Sequence, residues 1–368
     1  MKVFIEREIL ISAINTVSKA VMAKSPNPIF EGILVEAEGD KLIFTGNDRE
    51  IAIEYSISTK ILENGSLIVN AKMIGDIVRK LPNAPIYIET DDKGILIIRC
   101  QEIEYNILTL KNEGFPKIDK FSSETSISLS EKKLKQIIKQ TIFCTSTNES
   151  RPVLTGILFK LSKGMMTVTA VDGFRLALKN INIIEENLEG EYIIPAKTLN
   201  ELLKILRDED EQSIKICFSD NQVLFETGEY IMLSRLIEGT FIDYQKIIPN
   251  ESVINAEVTA SEFISCIERS ALIINADDTK TPLRIKIEGE DITFTCISKL
   301  GKMQESIKTN HTGGEIEIGF NHKYLLDAFK NTDCEEVTVG LNNSLSPCVI
   351  RPMKDDDFIF LILPVRLA

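Results

Sequence analysis

The side chains that most often perform catalysis are few in this sequence and are not arranged for it. The two histidines, His311 and His322, lack the neighbouring cysteine or carboxylate pattern of a catalytic triad or a metal site. A lone histidine at the start of a helix is more often solvated or capping than a ligand, and we expect this of His322. The phosphate-loop, dinucleotide-binding and nucleophile-elbow motifs are also missing from the sequence. We therefore expect no enzymatic activity, no bound metal and no cofactor.

The cysteines and the acidic runs do not indicate a site either. The seven cysteines are scattered and never spaced as CxxC, so we expect reduced and mostly buried thiols. Two acidic runs, residues 208–211 and Asp355 to Asp357, are interpreted as solvated loops because consecutive carboxylates point in different directions.

Lysine and arginine give a stronger signal, because they gather on helical stretches. The chain carries a formal net charge of -13, yet the predicted helices taken together are net positive. For one helix alone a solvated face is the simplest interpretation. For the whole set, we predict one basic surface on an otherwise acidic protein. Such a surface would bind phosphate groups independently of base sequence. Apolar periodicity predicts these helices at Glu6 to Ala20, Ala71 to Leu81, Ser130 to Phe143, Ala196 to Arg207, Ala260 to Ile274 and Asn321 to Lys330.

The elements that carry these residues repeat three times with a period of about 125 residues. The segment GILV at Gly32 returns as GILF at Gly156, and Thr45, Thr169 and Thr295 occupy matching places in alternating strands. Each repeat contains two amphipathic helices and several half-buried antiparallel strands. We predict an α+β fold of three domains, at residues 1–122, 123–250 and 251–368. A repeated geometry favours a shaped surface over a single catalytic pocket.

The termini and the apolar runs predict a cytoplasmic protein without a membrane partner. The N-terminal residues MKVFIEREIL carry charges where a signal peptide needs its apolar region. The longest apolar run, Phe358 to Leu363, is far shorter than the ~20 residues that span a bilayer.

Four segments resemble signature segments of the bacterial DNA polymerase III beta subunit family, the sliding clamps. They are RPVLTGILF from Arg151, VDGFRLAL from Val171, LIEGTFIDYQKIIP from Leu236 and the terminal LPVRLA from Leu363. The resemblance covers the full length and implies a ring-forming DNA clamp fold, a head-to-tail homodimer around duplex DNA. It also implies partners: the DNA polymerase III alpha subunit, the clamp loader complex and other proteins with short Leu/Phe motifs.

The resemblance implies a peptide-binding groove, an apolar pocket rimmed by two cations. Its residues are Leu154, Val171, Gly173, Phe174, Arg175, Leu176, Ile242, Lys246, Ile247, Leu363, Pro364, Val365 and Arg366. Without the resemblance, ordinary inter-domain core would be the simpler interpretation of the apolar members. The family usually has Pro and Arg where this chain has Ile242 and Gln245, and many relatives have His where this chain has Phe174. These differences, with the terminal Ala368, bear on affinity and motif preference.

Two further surfaces follow from the resemblance. The DNA-facing residues would be Lys24, Lys72, Arg79, Lys80, Lys132, Lys135, Lys139, Lys197, Lys204 and Arg207. The dimer interface would join Ile77, Tyr105 and Ile107 of one copy to Leu272 and Ile273 of the other. We also predict that Glu102 and Glu104 face Lys299 and Lys302 across it, a charge pattern that would discourage mixed rings. The alternative is that both pairs are solvated charges at the ends of strands.

Two other classes of function are weighed against the clamp. A repeat-built interaction scaffold would keep the groove but would not encircle DNA. A hydrolase would need a pocket with perturbed titratable groups and measurable turnover.

Overall fold

The computed structural model describes residues 1–91, 93–121, 123–209, 211–276, 281–354 and 357–367. The predicted acidic loop residues Asp210, Asp355 and Asp356 and the terminal Ala368 lie outside the described residues. The chain divides into two compact units, called unit 1 and unit 2 below. Unit 1 comprises Met1–Lys132 and Asn200–Leu236, and unit 2 comprises Lys133–Leu199 and Ile237–Ala368.

Each predicted helix is present. The helices are α1 (Arg7–Val17), α2 (Ala71–Lys80), α3 (Glu131–Ile142), α4 (Ala196–Leu203), α5 (Ala260–Ile274) and α6 (His322–Lys330), with 3₁₀ turns at Ser18–Ala20, Pro28–Glu31, Pro152–Thr155 and Tyr244–Lys246. The α+β prediction is confirmed, since these helices pack on antiparallel sheets.

The strands in chain order are β1 (Lys2–Ile5), β2 (Gly32–Glu38), β3 (Lys41–Asn47), β4 (Ile51–Ser58), β5 (Ile61–Glu63), β6 (Gly65–Asn70), β7 (Ile86–Thr90), β8 (Ile95–Cys100), β9 (Ile103–Leu108), β10 (Ser126–Ser130), β11 (Gly156–Ser162), β12 (Met165–Val171), β13 (Arg175–Asn182), β14 (Gly190–Pro195), β15 (Ser213–Phe218), β16 (Gln222–Glu226), β17 (Tyr230–Arg235), β18 (Ile254–Thr259), β19 (Leu283–Glu288), β20 (Asp291–Ser298), β21 (Gly301–Lys308), β22 (Asn310–Thr312), β23 (Ile316–Phe320), β24 (Glu336–Leu341), β25 (Cys348–Pro352) and β26 (Phe358–Ile362).

Unit 1 contains two sheets. The smaller has the order β5-β1-β7-β8-β9, and the larger has the order β10-β15-β16-β17-β4-β3-β2-β6. In the larger sheet β17 pairs with β4, with Tyr230 opposite Tyr55. A strand of the second repeat therefore continues the sheet of the first.

Unit 2 repeats this plan. Its sheets have the orders β14-β11-β12-β13-β26-β25-β24-β18-β22 and β21-β20-β19-β23. Here β26 of the third repeat pairs with β13 of the second, with Phe358 opposite Lys179. The compact units cut across the repeats because these sheets run through the junctions between repeats. The core under the third repeat is aromatic: Phe263 of α5 stacks on Phe329 of α6 at 4.2 Å and meets Phe294 of β20 edge-on at 4.8 Å.

Two predictions about the helices need correction. The fourth helix ends at Leu203 rather than Arg207. Leu206 is still buried, so the apolar period continues past the end of the helix. The backbone N–H of Arg207 donates instead to the carboxylate of Glu131 at 2.8 Å, a long-range bond that periodicity cannot reveal.

His322 is neither solvated nor a cap. Its side chain is buried and its Nε2 has no hydrogen-bond partner among the described residues. Burial lowers the pKa of His322, which favours the neutral imidazole. The cap of α6 is Asn321, whose side chain accepts from the N–H of Lys323 at 3.0 Å.

Candidate functional site

A tight turn in unit 2 positions the residues predicted to bind peptides. It joins β12 to β13, and the carboxylate of Asp172 accepts hydrogen bonds from the N–H groups of Phe174 at 2.8 Å and Arg175 at 3.0 Å. Gly173 has a φ of 95°, the left-handed region that glycine adopts without strain. The turn leaves the Phe174 ring 59% exposed, stacked on the ring of Tyr324 at 6.1 Å.

Arg175 is buried below this turn and is not a free cation at the rim. Its side chain is only 12% exposed and pairs with Asp172 at 2.9 Å and with Asp327 of α6. Its guanidinium also lies 4.5 Å from the centre of the Tyr324 ring. Burial alone would lower the pKa of Arg175, but hydrogen bonds to the two carboxylates raise it above its ordinary value. Arg175 therefore holds the turn against α6.

A cavity of about 620 Å³ opens beside the turn. Its lining includes four of the predicted residues, which are Leu154, Gly173, Phe174 and Arg175. Sequence reasoning missed Tyr324, Arg151 and the hydroxyl-rich residues Thr145, Ser146, Thr147 and Ser150, together with Asn148 and Asp172. Tyr324 gave no sequence signal, because it comes from a helix far along the chain. Arg151 begins the segment RPVLTGILF, and this segment was the signal that could have identified it.

Several apolar residues predicted for the groove are buried core. Leu154, Val171 and Leu176 are buried in one cluster with Phe241 and Tyr244, and Ile242 and Leu363 pack against its margin. These residues are core, as the simpler interpretation predicts, and peptide binding over them stays a prediction. Ile247 and Val365 are exposed, as Phe174 is, but they do not line the cavity.

The C-terminal segment borders the groove. The N–H of Leu363 donates to the carbonyl of Phe174 at 2.8 Å, and the N–H of Val365 donates to the carbonyl of Gly319 at 2.8 Å. Pro364 between them is half-buried, and Arg366 is exposed. Lys246 extends into solvent and pairs with Asp243 at 2.7 Å. Lys246 and Arg366 are therefore exposed cations outside the lining of this cavity, whereas Arg151 lies in the lining.

The residues predicted to face DNA are mostly exposed. Lys135 and Arg207 are half-buried, whereas Lys24, Lys72, Arg79, Lys80, Lys132, Lys139, Lys197 and Lys204 are exposed. Arg79 pairs with Asp76 at 2.6 Å and Lys204 with Glu201 at 2.7 Å, on the exposed surface. Arg207 pairs with Glu229, and that hydrogen bond raises the pKa of Arg207. These ion pairs reduce the charge that three of the ten residues present.

The residues predicted for a dimer interface lie on two edge strands, in the turns before them and on helices α2 and α5. In unit 1, β9 is an edge strand, and Ile103, Tyr105 and Leu108 on it are exposed. Ile77 is half-buried, and Ile107 is buried in its own sheet, so Ile107 offers little surface. Of the predicted charges, Glu102 is exposed, whereas Glu104 accepts from Arg99 at 2.7 Å, which lowers the pKa of Glu104.

In unit 2, β21 is an edge strand of the four-stranded sheet. Leu300 at the turn before β21 and Leu272 on α5 are exposed, and Ile273 is half-buried. Lys299 and Lys302 are both exposed. Each edge therefore presents apolar side chains beside backbone groups that lack a strand partner within the described chain.

Within the described ranges we find no group of three or more His, Cys, Asp or Glu residues that could hold a metal ion. No described helix combines the length and the apolar character needed to cross a bilayer.

Comparison with known families accounts for the three repeats. Family models of the DNA polymerase III beta subunit match in chain order: the N-terminal domain at residues 1–119, the central domain at 128–243 and the C-terminal domain at 245–366. The beta sliding clamp of Staphylococcus epidermidis is 33% identical over 376 residues, covering 100% of this chain and 99% of that protein. That of Halalkalibacterium halodurans is 33% identical over 380 residues, covering 100% of both.

Solved structures of the same family also match this chain. A crystal structure of the DNA polymerase sliding clamp from Bacillus subtilis matches with a TM-score of 0.96 and 33% identity, covering 100% of both chains. A putative DNA polymerase III beta subunit from Eubacterium rectale matches with a TM-score of 0.95 and 32% identity over 100% of both chains. The chain belongs to the DNA polymerase III beta subunit family, the beta sliding clamps.

Proposed function

We propose that the chain is a cytoplasmic, non-catalytic DNA sliding clamp, in which two copies join head to tail into a ring around duplex DNA. The ring tethers the DNA polymerase III alpha subunit and other replication and repair proteins, and so makes synthesis processive. A clamp loader complex opens it. The three domains of each copy are residues 1–122, 123–250 and 251–368.

The charge distribution suits this role. The exposed lysines of α2, α3 and α4 can approach phosphates, while the chain as a whole carries a net charge of -13 that repels them elsewhere. Each neutralised phosphate releases counterions without reading a base, so the contacts favour DNA of any sequence. Weak contacts of this kind allow sliding, and closure of the ring prevents escape.

The observation that carries ring closure is a strand junction that each unit builds in the same way. In unit 1, Ser56 N–H donates to the Glu229 carbonyl at 2.9 Å, and Arg235 N–H donates to the Glu50 carbonyl at 3.3 Å. In unit 2, the matching bonds run from Asn180 to Asp357 at 2.8 Å and from Leu363 to Phe174 at 2.8 Å. The two junctions share one register, β17 on β4 and β26 on β13.

A third junction of this kind needs a second copy. The strand matching β4 and β13 is β21, and the strand matching β17 is β9, since the hairpins ending in β9 and β17 both close around two residues. Both strands are edges in this chain. With the same register, Ile103 would lie opposite Glu305, Tyr105 opposite Met303 and Leu108 opposite Leu300 in the partner copy. Because the two edges differ, the contact is heterologous, and such contacts make rings when the rotation closes.

This register revises the predicted charge contacts. Glu104 lies diagonally from Lys302, a separation that long side chains bridge in antiparallel sheets. Glu102 lies opposite Ser306 instead, and Lys299 falls beyond Leu300. We therefore propose that Glu104 and Lys302 form the charge contact of the interface, with Arg99 already bound to Glu104 from its own sheet.

The groove of unit 2 is the proposed docking site for partner proteins. Exposed Phe174 lines a cavity of about 620 Å³, and exposed Val365 lies on the C-terminal segment that bonds to Phe174 through Leu363. Both suit the Leu and Phe side chains of a short linear motif. Lys246, Arg366 and Arg151 suit the polar end of such a motif.

Retention on DNA of different topology tests the proposal. The protein is loaded onto nicked circular DNA by a clamp loader with ATP and separated from free protein by gel filtration. We expect retention on the circle and rapid loss once the circle is cut. Equal retention on cut and uncut DNA would mean ordinary surface binding and would contradict the proposal. A control without the loader measures that surface binding directly.

A further inference from the structure

The turn that positions the groove in unit 2 has a counterpart in unit 1. Between β3 and β4, the carboxylate of Asp48 accepts from the N–H groups of Glu50 at 3.0 Å and Ile51 at 2.7 Å, as Asp172 does for its own turn. Arg235 then bonds to the carbonyl of Glu50, as Leu363 bonds to that of Phe174. The scaffold that borders the groove is therefore built twice.

A second cavity lies at this counterpart, wholly within unit 1. Its volume is about 250 Å³, and its lining is Asn47, Arg49, Glu50, Ile51, Ala52, Pro116, Lys117, Asp119, Gln222, Leu233, Ser234 and Arg235. Ile51, Ala52, Pro116 and Leu233 are the apolar part of this lining, and its other residues are polar or charged. The described lining has no aromatic ring to match Phe174 and Tyr324 of the groove.

At three positions this lining has charged residues where the groove has glycine or apolar residues. Arg49 stands where the groove has Gly173, Glu50 where it has Phe174, and Arg235 where it has Leu363. Arg49 and Arg235 are exposed, and neither forms an ion pair with a described residue. Two guanidinium groups without carboxylate partners therefore line one cavity, and the guanidinium fork matches a carboxylate in both shape and charge.

Arg49 is also held in a conformation that favours glycine. Its φ is 76°, in the left-handed region, and its guanidinium lies 4.4 Å from the centre of the Phe30 ring. Glycine occupies the matching position of the other turn without strain. The contact with Phe30 holds the guanidinium of Arg49 in place at the cavity.

We propose that this cavity is a second docking site, which binds an extended acidic segment of a partner protein through Arg49 and Arg235. This proposal rests on the proposed function, because it is built on the comparison with the groove. It does not require the ring to close. Glu50 and Asp119 in the same lining disfavour a continuous polyanion such as DNA. A strand with carboxylates on one face can place them beside the arginines and keep clear of the two acids.

Fluorescence anisotropy with designed peptides tests the site. The probe is a fluorescein-labelled peptide of four Asp-Ser repeats, whose carboxylates all lie on one face when it is extended. The reference probe has Asn in place of Asp. The variant R49G/R235L installs the residues found at the matching positions of the groove, so both have a precedent on the same backbone. The control K163G removes another left-handed cation, φ 51°, from a turn in unit 2.

We expect the Asp-Ser peptide to bind the unaltered protein and K163G equally, and R49G/R235L at least 10-fold more weakly. The Asn-Ser peptide should not bind, and an unlabelled Leu-Ser-Leu-Phe peptide should not displace the probe. Equal binding to R49G/R235L, equal binding of the Asn-Ser peptide, or displacement by Leu-Ser-Leu-Phe would each overturn the proposal. If the double variant does not fold, R235Q alone decides by the same criterion. Binding of labelled Leu-Ser-Leu-Phe reports the groove separately, so loss of one site is distinguished from loss of the other.

Discussion

Truncating Leu108 or Leu300 should weaken association of two copies by an amount that also reveals whether the ring closes. The side chains are 84% and 69% exposed in the isolated chain, and the proposed register places them opposite each other. Changing Leu to Ala removes three carbons at ~0.8 kcal/mol each, so burial of the exposed fraction is worth about 2 kcal/mol per junction. A junction should then weaken roughly 20-fold.

A closed ring of two copies contains the junction twice, so its dissociation constant should rise by roughly 400-fold, the square of the single effect. Sedimentation equilibrium over a wide concentration range measures this for Leu108→Ala and Leu300→Ala. The matched control is Ile184→Ala, since Ile184 is 90% exposed but lies outside the proposed junction. Dissociation constants that do not differ among the three variants would refute the register. A change near 20-fold would indicate a single open contact.

Three further outcomes are expected. Tyr105→Cys combined with Met303→Cys should form an intermolecular disulfide on mild oxidation, because opposed non-hydrogen-bonded residues lie ~4.5 Å apart at Cα; a non-reducing gel that shows only monomer would contradict this. Arg175→Met should reduce the free energy of unfolding by about 2 kcal/mol in a urea titration, since it removes charged hydrogen bonds to Asp172, which is only 12% exposed, and to the partly exposed Asp327, and a loss below ~0.5 kcal/mol would show that the pairs matter little. The hydrogen bond from Arg207 lowers the pKa of Glu229 below its ordinary 4.5, so Glu229 stabilises the fold above that pH and loses this effect as pH falls through its lowered value. Glu229→Gln should flatten that part of the acid unfolding curve, and an unchanged curve would contradict the assignment.

The sequence predicted the fold because the signals it needs are local. The third pair of helices shows this well: α5 spans the predicted Ala260 to Ile274, and α6 begins one residue after the predicted Asn321, which is its cap. The sequence did not predict features that depend on residues far apart in the chain, such as the end of a helix. Helix α4 ends early because the backbone of Arg207 bonds to Glu131, 76 residues away.

The candidate groove was predictable only in part, for the same reason. Phe174 and Leu363 could be named from recognised segments, yet the roles of their neighbours depend on tertiary contacts. Arg175 looked like a rim cation in sequence, but Asp327 binds it from a helix 152 residues further on. Tyr324, which stacks on Phe174, lies on that same helix and could not be linked to the groove by spacing.

Encirclement of DNA is a topological property, and a covalently closed ring tests it most directly. Protein carrying Tyr105→Cys and Met303→Cys is loaded reduced onto nicked circular DNA, oxidised to close both junctions, and then treated with SDS. A linked ring should stay with the circle after the fold and every surface contact are lost, and should separate once the DNA is cut. Fully cross-linked protein that leaves the intact circle in SDS, or that remains with cut DNA, would contradict the account.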